Sequence, residues 1–316
     1  MTADGTWSGT VGKADGDRAL QVDDQFAIAS ITKSLVAAQV MLMVEHGELG
    51  LDDVATDHLP RDLEFDTNGA TIRQLLSHRS GIPDDYAAVS GMLQRDPLRV
   101  WTPAEVLELN PAERGTVGSS YEYSGTNYLL LGLVIEHVRG RPLVEVMRAG
   151  VLAIDGIERL VYQPDEQPTE PMAMPRGEST AALERGGGYL PSHAATSANP
   201  VAGGMASDAP SLARWWQTFC AGEIVSQATL TEMSAFDPDL SPFNDGGYGL
   251  GLWNPAYGYA RGVGHGGELF GYMSWAACLP EEGAVIVVLS NRLVYSLTLN
   301  LLSGALRPFV DALRSR

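Results

Sequence analysis

Residues 27–36 read Ala27-Ile28-Ala29-Ser30-Ile31-Thr32-Lys33-Ser34-Leu35-Val36 and begin a predicted buried helix. Most of the residues that follow are apolar, which is typical of a helix surrounded by protein. Ser30 and Lys33 are three residues apart, so a helix places them on one face with about 5–6 Å between Cβ atoms. Burial disfavours a charged lysine, and a neutral Lys33 can accept the proton of the Ser30 hydroxyl. The spacing therefore predicts a serine nucleophile activated by a lysine.

The Ser-x-x-Lys pattern is weak evidence by itself, because both residue types are common. Lysine is rare in this chain, however, since Lys13 and Lys33 stand against nineteen arginines. A lysine inside an apolar helix is costly unless it is paired or neutral. The alternative interpretation is a surface lysine one turn after a serine that caps the helix. The two interpretations differ in whether Lys33 is buried.

Length and charge limit the class of protein. The chain has 316 residues, enough for a large core in one or two domains. It contains no run of about eighteen apolar residues, so no membrane span is predicted. The first residues lack the charged and apolar regions of a signal peptide, so we expect a cytoplasmic protein, or an exported one if the sequence is part of a longer chain. A formal net charge of −18 argues against nucleic acid and anionic membranes as partners.

The sequence predicts neither a metal site nor a disulfide framework. The six histidines show no ligand spacing, and acidic pairs such as Asp84-Asp85 are typical of solvated turns. We therefore predict no metal site and no cofactor. Cys220 and Cys278 are too few for a disulfide framework, so each is expected in the core as a small apolar residue.

Strands are predicted near both chain ends and helices in the middle. Residues 6–11, 271–279 and 284–289 are typical of strands, and the short turn between the last two makes them antiparallel neighbours. Helices are predicted at 31–46 and 126–138. The predicted fold class is α/β of the α+β kind.

This order of elements predicts one catalytic unit with two parts. A sheet part takes residues of about 1–30 and 200–316, and an inserted, mainly helical part takes about 31–199. Helices cover an antiparallel sheet built from both chain ends. We expect the active site in the groove between the two parts.

Two further stretches carry suitable chemistry. Residues 121–128, Tyr-Glu-Tyr-Ser-Gly-Thr-Asn-Tyr, precede the apolar helix, and a tyrosine there can act as general acid or base if a neighbouring cation lowers its pKa. Residues 262–272, Gly-Val-Gly-His-Gly-Gly-Glu-Leu-Phe-Gly-Tyr, lead into a strand. Their glycines allow a close approach of backbone to substrate, and a backbone N–H there can bind an oxyanion. His78 could be catalytic in isolation, but in the absence of a carboxylate partner we expect it to bond a loop carbonyl.

The three clusters, in this order, resemble the serine β-lactamase and penicillin-binding protein superfamily. The similar branch holds the class C β-lactamases and the related DD-peptidases and esterases, which carry S-x-x-K, Y-x-N and K-T-G or H-x-G. The matching residues are Ser30-Ile31-Thr32-Lys33, Tyr123-Ser124-Gly125 and His265-Gly266-Gly267. The resemblance runs from about residue 5 to the C-terminus and implies the β-lactamase/DD-peptidase fold.

The resemblance also implies a role for each matching residue. Ser30 is then the acylated nucleophile, and Lys33 shares its proton. Tyr123 protonates the leaving group and later activates water. His265 stands where other members have a lysine and helps to keep Tyr123 and Lys33 in the right charge states. The N–H groups of Ser30 and Glu268 form the oxyanion hole, and Gly125, Gly266 and Gly267 belong to the substrate-binding wall.

Two departures from the family pattern affect the pocket. Gly125 occupies the asparagine position of Y-x-N, so the side-chain amide that usually holds a substrate carbonyl is missing. Asn127 lies nearby in the sequence, which leaves open whether it substitutes. Glu268 follows His-Gly-Gly and brings a carboxylate to the place where some peptidases have a hydroxyl.

These observations favour a serine hydrolase that forms an acyl-enzyme on a small ester or amide. An esterase or amidohydrolase is favoured over a β-lactamase, because Gly125 and Glu268 suit an acylamino carboxylate substrate poorly. The alternatives are an acyltransferase of a biosynthetic pathway and a non-catalytic acyl-binding or sensor module. The expected partner is a small-molecule substrate, and the sequence leaves the oligomeric state open.

Overall fold

Helix α1, Ile31–Glu45, lies at the centre of the fold and begins directly after Ser30. Twelve of its residues are buried, from Ile31 to Met43, so this helix has no solvent-facing side along most of its length. Its predicted range of 31–46 is confirmed to within one residue. Because α1 is surrounded by protein, the alternative of a surface lysine at position 33 is wrong: Lys33 is 2 % exposed.

The computed structural model describes residues 1–2, 4–84, 86–111, 113–176, 188–237, 247–254, 260–293, 307–308 and 310–315. The further helices are α2 Ile72–Leu76, α3 Tyr86–Arg95, α4 Pro103–Leu107, α5 Gly125–Arg139, α6 Leu143–Ala149, α7 His193–Ala198, α8 Pro200–Gly203, α9 Ala209–Cys220 and α10 Gln227–Met233. The strands are β1 Lys13–Asp15, β2 Arg18–Ala19, β3 Phe26–Ala27, β4 Val161–Tyr162, β5 Met205–Ser207, β6 Val263–Leu269, β7 Tyr272–Leu279 and β8 Ala284–Ser290.

Helix α5 is the second long apolar helix and packs against α1. Most of its residues are buried, from Gly125 to Ile135. It ends at Gly140, whose φ of 62° is a left-handed conformation that glycine adopts without strain. Helix α8 packs against both α1 and α5. Among the described helices, none combines the length and the apolar character that crossing a membrane requires.

The largest described sheet has the strand order β6-β7-β8, and both pairs are antiparallel. This confirms the antiparallel pairing predicted for residues 271–279 and 284–289. The chain start adds to the outer edge of β8, where the N–H of Val285 donates to the carbonyl of Met1 at 2.8 Å. Strand β6 lies at the other edge, against α1, which places its glycines beside Ser30.

The N-terminal strands pair elsewhere. Strands β1 and β2 form a hairpin, and β3 joins β5 and β4 in a second small antiparallel sheet. The strand predicted at residues 6–11 is wrong, since these residues form no strand and the side chains of Trp7 and Val11 are 85 % and 84 % exposed. Among the described residues, no strand pairs with this alternating segment. The start of the chain therefore meets β8 through Met1 and Thr2, whereas β1, β2 and β3 belong to separate small sheets.

The division into a sheet part and a helical part stays a prediction. Segments 238–246, 255–259 and 294–306 of the predicted sheet part, and 177–187 of the helical part, lie outside the described residues. The described remainder of the predicted sheet part also contains α8, α9 and α10.

The expectation for the two cysteines is wrong, because Cys220 and Cys278 form a disulfide. They are 58 residues apart in sequence, and their Cα atoms are 6.6 Å apart. Helix α9 packs on β7 and β8, which brings its last residue to β7. Sequence spacing alone cannot reveal such a contact, because it depends on how a helix lies on a sheet.

Candidate active site

Ser30 occupies the N-cap position of α1, but its side chain makes no capping hydrogen bond. Its hydroxyl instead accepts a hydrogen bond from the Lys33 amine at 3.2 Å and lies beside the Tyr123 hydroxyl. The preceding residue, Ala29, has a φ of 48°, which is a strained conformation for a residue with a side chain. The backbone thus turns sharply before Ser30. This leaves the hydroxyl available for chemistry rather than for helix capping.

Lys33 reaches Ser30 from one turn further along α1, as its spacing predicts. Its Nζ also lies 2.8 Å from the Ala202 carbonyl of α8 and 4.7 Å from the centre of the Tyr123 ring. Burial lowers the pKa of Lys33 to about 7, while the negative charge of Asp84 raises this pKa and partly opposes the burial. Near neutral pH a large fraction of Lys33 is therefore neutral and can accept the Ser30 proton.

Tyr123 lies in the loop before α5, on the other side of the Ser30 hydroxyl. Burial raises the pKa of Tyr123 well above its usual value, although the neighbouring Ser30 hydroxyl lowers this pKa and partly opposes the burial. The first expectation for this tyrosine was a neighbouring cation that lowers its pKa. Among the described residues, no cation has that effect on Tyr123. Tyr123 is protonated at neutral pH and is suited to donate a proton.

His78 supports the Tyr123 loop. Its Nδ1 accepts a hydrogen bond from the Ser124 N–H at 3.1 Å, and its ring centre lies 4.3 Å from that of Tyr123. The predicted bond from His78 to a loop carbonyl is therefore wrong, because the ring nitrogen accepts from a backbone amide. Burial lowers the pKa of His78 well below its usual value, so the ring is neutral.

His265 on β6 is held by two partners. Its Nδ1 donates to the Gly266 carbonyl at 2.5 Å, and its Nε2 accepts from the Tyr248 hydroxyl at 3.1 Å. Burial lowers the pKa of His265 to about 3, so the ring carries no charge at neutral pH. His265 lies near Tyr123, with 6.4 Å between ring centres. It does not supply the positive charge that a lysine would bring to this position.

The glycines of β6 allow the strand to touch the start of α1. A Cβ on Gly267 would lie 2.9 Å from the backbone nitrogen of Ser30 and would collide with the Ile28 carbonyl. Any side chain at this position would push β6 away from Ser30. Glu268 follows on the same strand and is exposed. Its assignment to the oxyanion hole, together with the Ser30 N–H, stays a prediction.

The space left by Gly125 is bordered by two polar side chains that the sequence argument missed. A Cβ on Gly125 would lie 3.1 Å from Asp84 Oδ2 and 3.3 Å from Asn199 Nδ2. Asn127 does not substitute, because its side chain is buried and bonds Ser80 and His78. Asp84 precedes α3 and Asn199 precedes α8, so no local pattern connects either of them with Gly125.

Known proteins are similar to this chain over most of its length. A family model described as "Beta-lactamase" matches residues 3–299. The D-aminopeptidase of Brucella anthropi is 29 % identical over 262 residues, which cover 80 % of this chain and 47 % of that protein. This chain thus spans about half the length of that curated relative.

Two solved structures are similar over most of both chains. The D-stereospecific amidohydrolase from Streptomyces sp. has a TM-score of 0.75 at 26 % identity, covering 88 % of this chain and 86 % of its own. The D-amino acid amidase from Ochrobactrum anthropi SV3, complexed with D-phenylalanine, also has a TM-score of 0.75 at 26 % identity. That match covers 89 % of this chain and 81 % of the amidase.

Proposed function

The chain belongs to the Beta-lactamase family, and we propose that it is a serine hydrolase that cleaves small amides through an acyl-enzyme, in preference to β-lactams. One observation carries the proposal: the Ser30 hydroxyl accepts a hydrogen bond from the Lys33 amine and lies beside the Tyr123 hydroxyl, although its helix position would suit a cap. A binding module has no use for a nucleophile placed between a base and an acid. This favours an enzyme over the non-catalytic module.

Acylation begins with Lys33 in its neutral form. The Ser30 proton moves to Nζ as the oxygen forms a bond to the substrate carbonyl carbon, and the carbonyl oxygen becomes an oxyanion. The Ser30 N–H lies at the start of α1, where backbone N–H groups favour negative charge. Because a Cβ on Gly267 would lie only 2.9 Å from this nitrogen, β6 is close enough to add a second donor from its own backbone.

Expulsion of the leaving amine requires a proton, and Tyr123 is placed to provide it. The carbon–nitrogen bond breaks as the amine takes the phenolic proton. A buried phenolate is costly, so the Lys33 ammonium must return a proton to Tyr123 in the same step. Water then attacks the acyl-enzyme by the reverse sequence of proton transfers and releases the acid. Ser30 and Lys33 return to their starting states.

The relatives narrow the substrate class. One is named a D-aminopeptidase and another a D-amino acid amidase, and both names describe amide cleavage next to an amino-acid residue. We therefore place amino-acid amides, with the D-enantiomers first, ahead of simple esters and acyl transfer. The glycine at position 125 sets this pocket apart from the Y-x-N pattern, and the neutral His265 brings no positive charge of the kind that a lysine at its position would carry.

A labelling and turnover experiment tests the proposal. The wild type is incubated with D- and L-phenylalanine amides, neutral p-nitrophenyl esters and nitrocefin, and acyl adducts are sought by intact-mass spectrometry. We expect amide turnover and an adduct with an activated ester that is absent from Ser30→Ala. An adduct that persists in Ser30→Ala overturns the nucleophile assignment. Products formed only with an added amine acceptor would instead favour the acyltransferase.

A further inference from the structure

The wall beside Gly125 holds a carboxylate and an amide where the family pattern has a single asparagine side chain. Asp84 Oδ2 and Asn199 Nδ2 lie 3.1 and 3.3 Å from the position that a Cβ of residue 125 would take. The absence of that side chain leaves both groups facing the space next to the Tyr123 loop. Their chemistry differs from asparagine alone, because Asp84 adds a full negative charge.

The Asp84 carboxylate is held in place but is not neutralised. Its Oδ2 accepts from the Gly125 N–H at 2.8 Å, and its Oδ1 accepts from the Thr126 hydroxyl at 3.2 Å. Within the described ranges, no lysine, arginine or histidine forms an ion pair with it. A carboxylate has about four lone-pair sites, so each oxygen keeps room for another donor. Asp84 is also exposed to solvent, which leaves it open to a ligand.

The charge of Asp84 acts on the catalytic groups. It is the charged group that raises the pKa of Lys33, and it also raises the pKa of Tyr123. Asp84 therefore lies within electrostatic reach of both neighbours of the Ser30 hydroxyl. A ligand group bound to Asp84 would stand beside the acyl group that forms on Ser30.

We propose that Asp84, with Asn199, binds the ammonium group of a substrate that carries a free amine on the acyl side of the scissile bond. This inference rests on the proposed function and narrows its substrate to acyl donors with an unblocked amine. Asp84 supplies the charge, and Asn199 Oδ1, which lies 3.6 Å from the same Cβ position, supplies a further acceptor. Acceptors around an ammonium match its three donors, and a charged hydrogen bond is stronger than a neutral one. Gly125 is required because a larger residue would fill the space between the two acceptors.

A second role for Asp84 competes with this one. Asp84 could act only on Lys33, in which case its removal would lower the Lys33 pKa and change the turnover of every substrate alike. It could also serve only to hold the first turn of α5 through Gly125. Neither role depends on whether the ligand has an amine, so the comparison of matched ligands separates them from ammonium binding.

The test measures binding without turnover. Ser30→Ala is titrated by calorimetry near neutral pH with D- and L-phenylalanine amide and with 3-phenylpropanamide, which has the same skeleton without the amine. The titration is repeated in Ser30→Ala/Asp84→Asn and Ser30→Ala/Asp84→Glu. Ser30→Ala/Asp62→Asn is the matched control, because it removes the same charge from an exposed aspartate that makes no ion pair among the described residues.

We expect at least one phenylalanine amide to bind Ser30→Ala more tightly than 3-phenylpropanamide. Asp84→Asn should weaken amine binding by about 10- to 100-fold, the range for a lost hydrogen bond to a charged group, and should change the neutral ligand much less. Asp84→Glu should retain part of the preference, and Asp62→Asn should retain all of it. Equal affinity for both ligands, or an equal loss for both in Asp84→Asn, overturns the inference.

Failure of the proposed function gives a different result. If the wild type leaves phenylalanine amides intact but Ser30→Ala still distinguishes amine from neutral ligand through Asp84, the reaction is misassigned and the ammonium site stands. If the wild type cleaves amides but Asp84→Asn shows no selective loss, the hydrolase stands and the ammonium site fails.

Discussion

Lys33 sets the charge state of the site at the residue scale. Its pKa of about 7 combines two opposing effects, the burial that favours the neutral amine and the Asp84 charge that favours the ammonium. In the proposed mechanism, the same residue accepts a proton from Ser30 and returns one to Tyr123. A pKa close to working pH suits both steps, since neither protonation state is then rare.

This gives a prediction for pH dependence. The acylation rate should rise with pH, about tenfold per unit below pH 7, and level off above it, because the base must be neutral. Stopped-flow acylation by a neutral activated ester measures the profile. Lys33→Ala and Tyr123→Phe should each lower the rate by about 10²–10⁴-fold, the usual effect of a lost acid–base group. A rising limb that persists unchanged in Lys33→Ala would identify another base.

Glu268 carries the second prediction at this scale. It follows Gly267 on β6 and lies on the same side of the strand as Gly266. A β-lactam or a D-peptide would bring its own carboxylate close to the Glu268 carboxylate. At about 4 Å and an effective dielectric constant near 20, two such negative charges repel by about 4 kcal/mol. We expect negligible turnover of nitrocefin and of carboxylate-terminated D-peptides, with Glu268→Gln improving kcat/KM for both. Efficient nitrocefin turnover by the wild type, unchanged in Glu268→Gln, would restore a β-lactamase as the leading function.

At the scale of elements, the site forms where four of them meet. Helix α1 supplies Ser30 and Lys33, the loop before α5 supplies Tyr123, β6 supplies its glycine backbone, and α8 supplies the Ala202 carbonyl. These elements come from distant parts of the chain. Helix α1 packs against α5, α8 and β6, so all three elements are positioned relative to Ser30 and Lys33 through this one helix.

The disulfide between α9 and β7 gives a prediction about stability. It closes a loop of 58 residues, and such links typically stabilise a fold by about 2–4 kcal/mol. Cys220→Ala/Cys278→Ala should therefore unfold at lower temperature and lower urea concentration than the oxidised wild type, while the folded variant keeps its turnover. Thiol titration of the unreduced, unfolded wild type should find no free thiol. Two titratable thiols would contradict the link.

The disulfide also bears on location. Such bonds persist in oxidising compartments and are rare in the cytoplasm. The expected cytoplasmic location stays a prediction, and the Cys220–Cys278 link is an argument against it.

At the scale of the whole molecule, the acidic charge should act on substrate encounter. The formal net charge of −18 creates a negative potential around the protein, which attracts cationic substrates and is screened by salt. We expect kcat/KM for an amine-bearing amide to fall as ionic strength rises from about 0.02 to 0.3 M. The value for 3-phenylpropanamide should stay constant over the same range. An equal salt effect on both substrates would show that screening acts on the enzyme itself.

The sequence by itself determined the local chemistry of this protein. Ser30 and Lys33 are neighbours because a helix brings residues three apart onto one face, and that rule requires no knowledge of the rest of the fold. The same holds for the antiparallel pairing of β7 and β8 across a short turn. The long apolar run after Ser30 likewise predicted a helix buried on all sides.

Only the tertiary structure decided which distant residues share the site. Asp84 and Asn199 meet at Gly125, Cys220 meets Cys278, and His265 bonds Tyr248. Residues 6–11 show the converse, since their strand-like pattern finds no partner strand. Contacts of this kind depend on how helices and strands pack across long separations. No local periodicity encodes them, because the energy comes from burial shared between segments rather than from the segment itself.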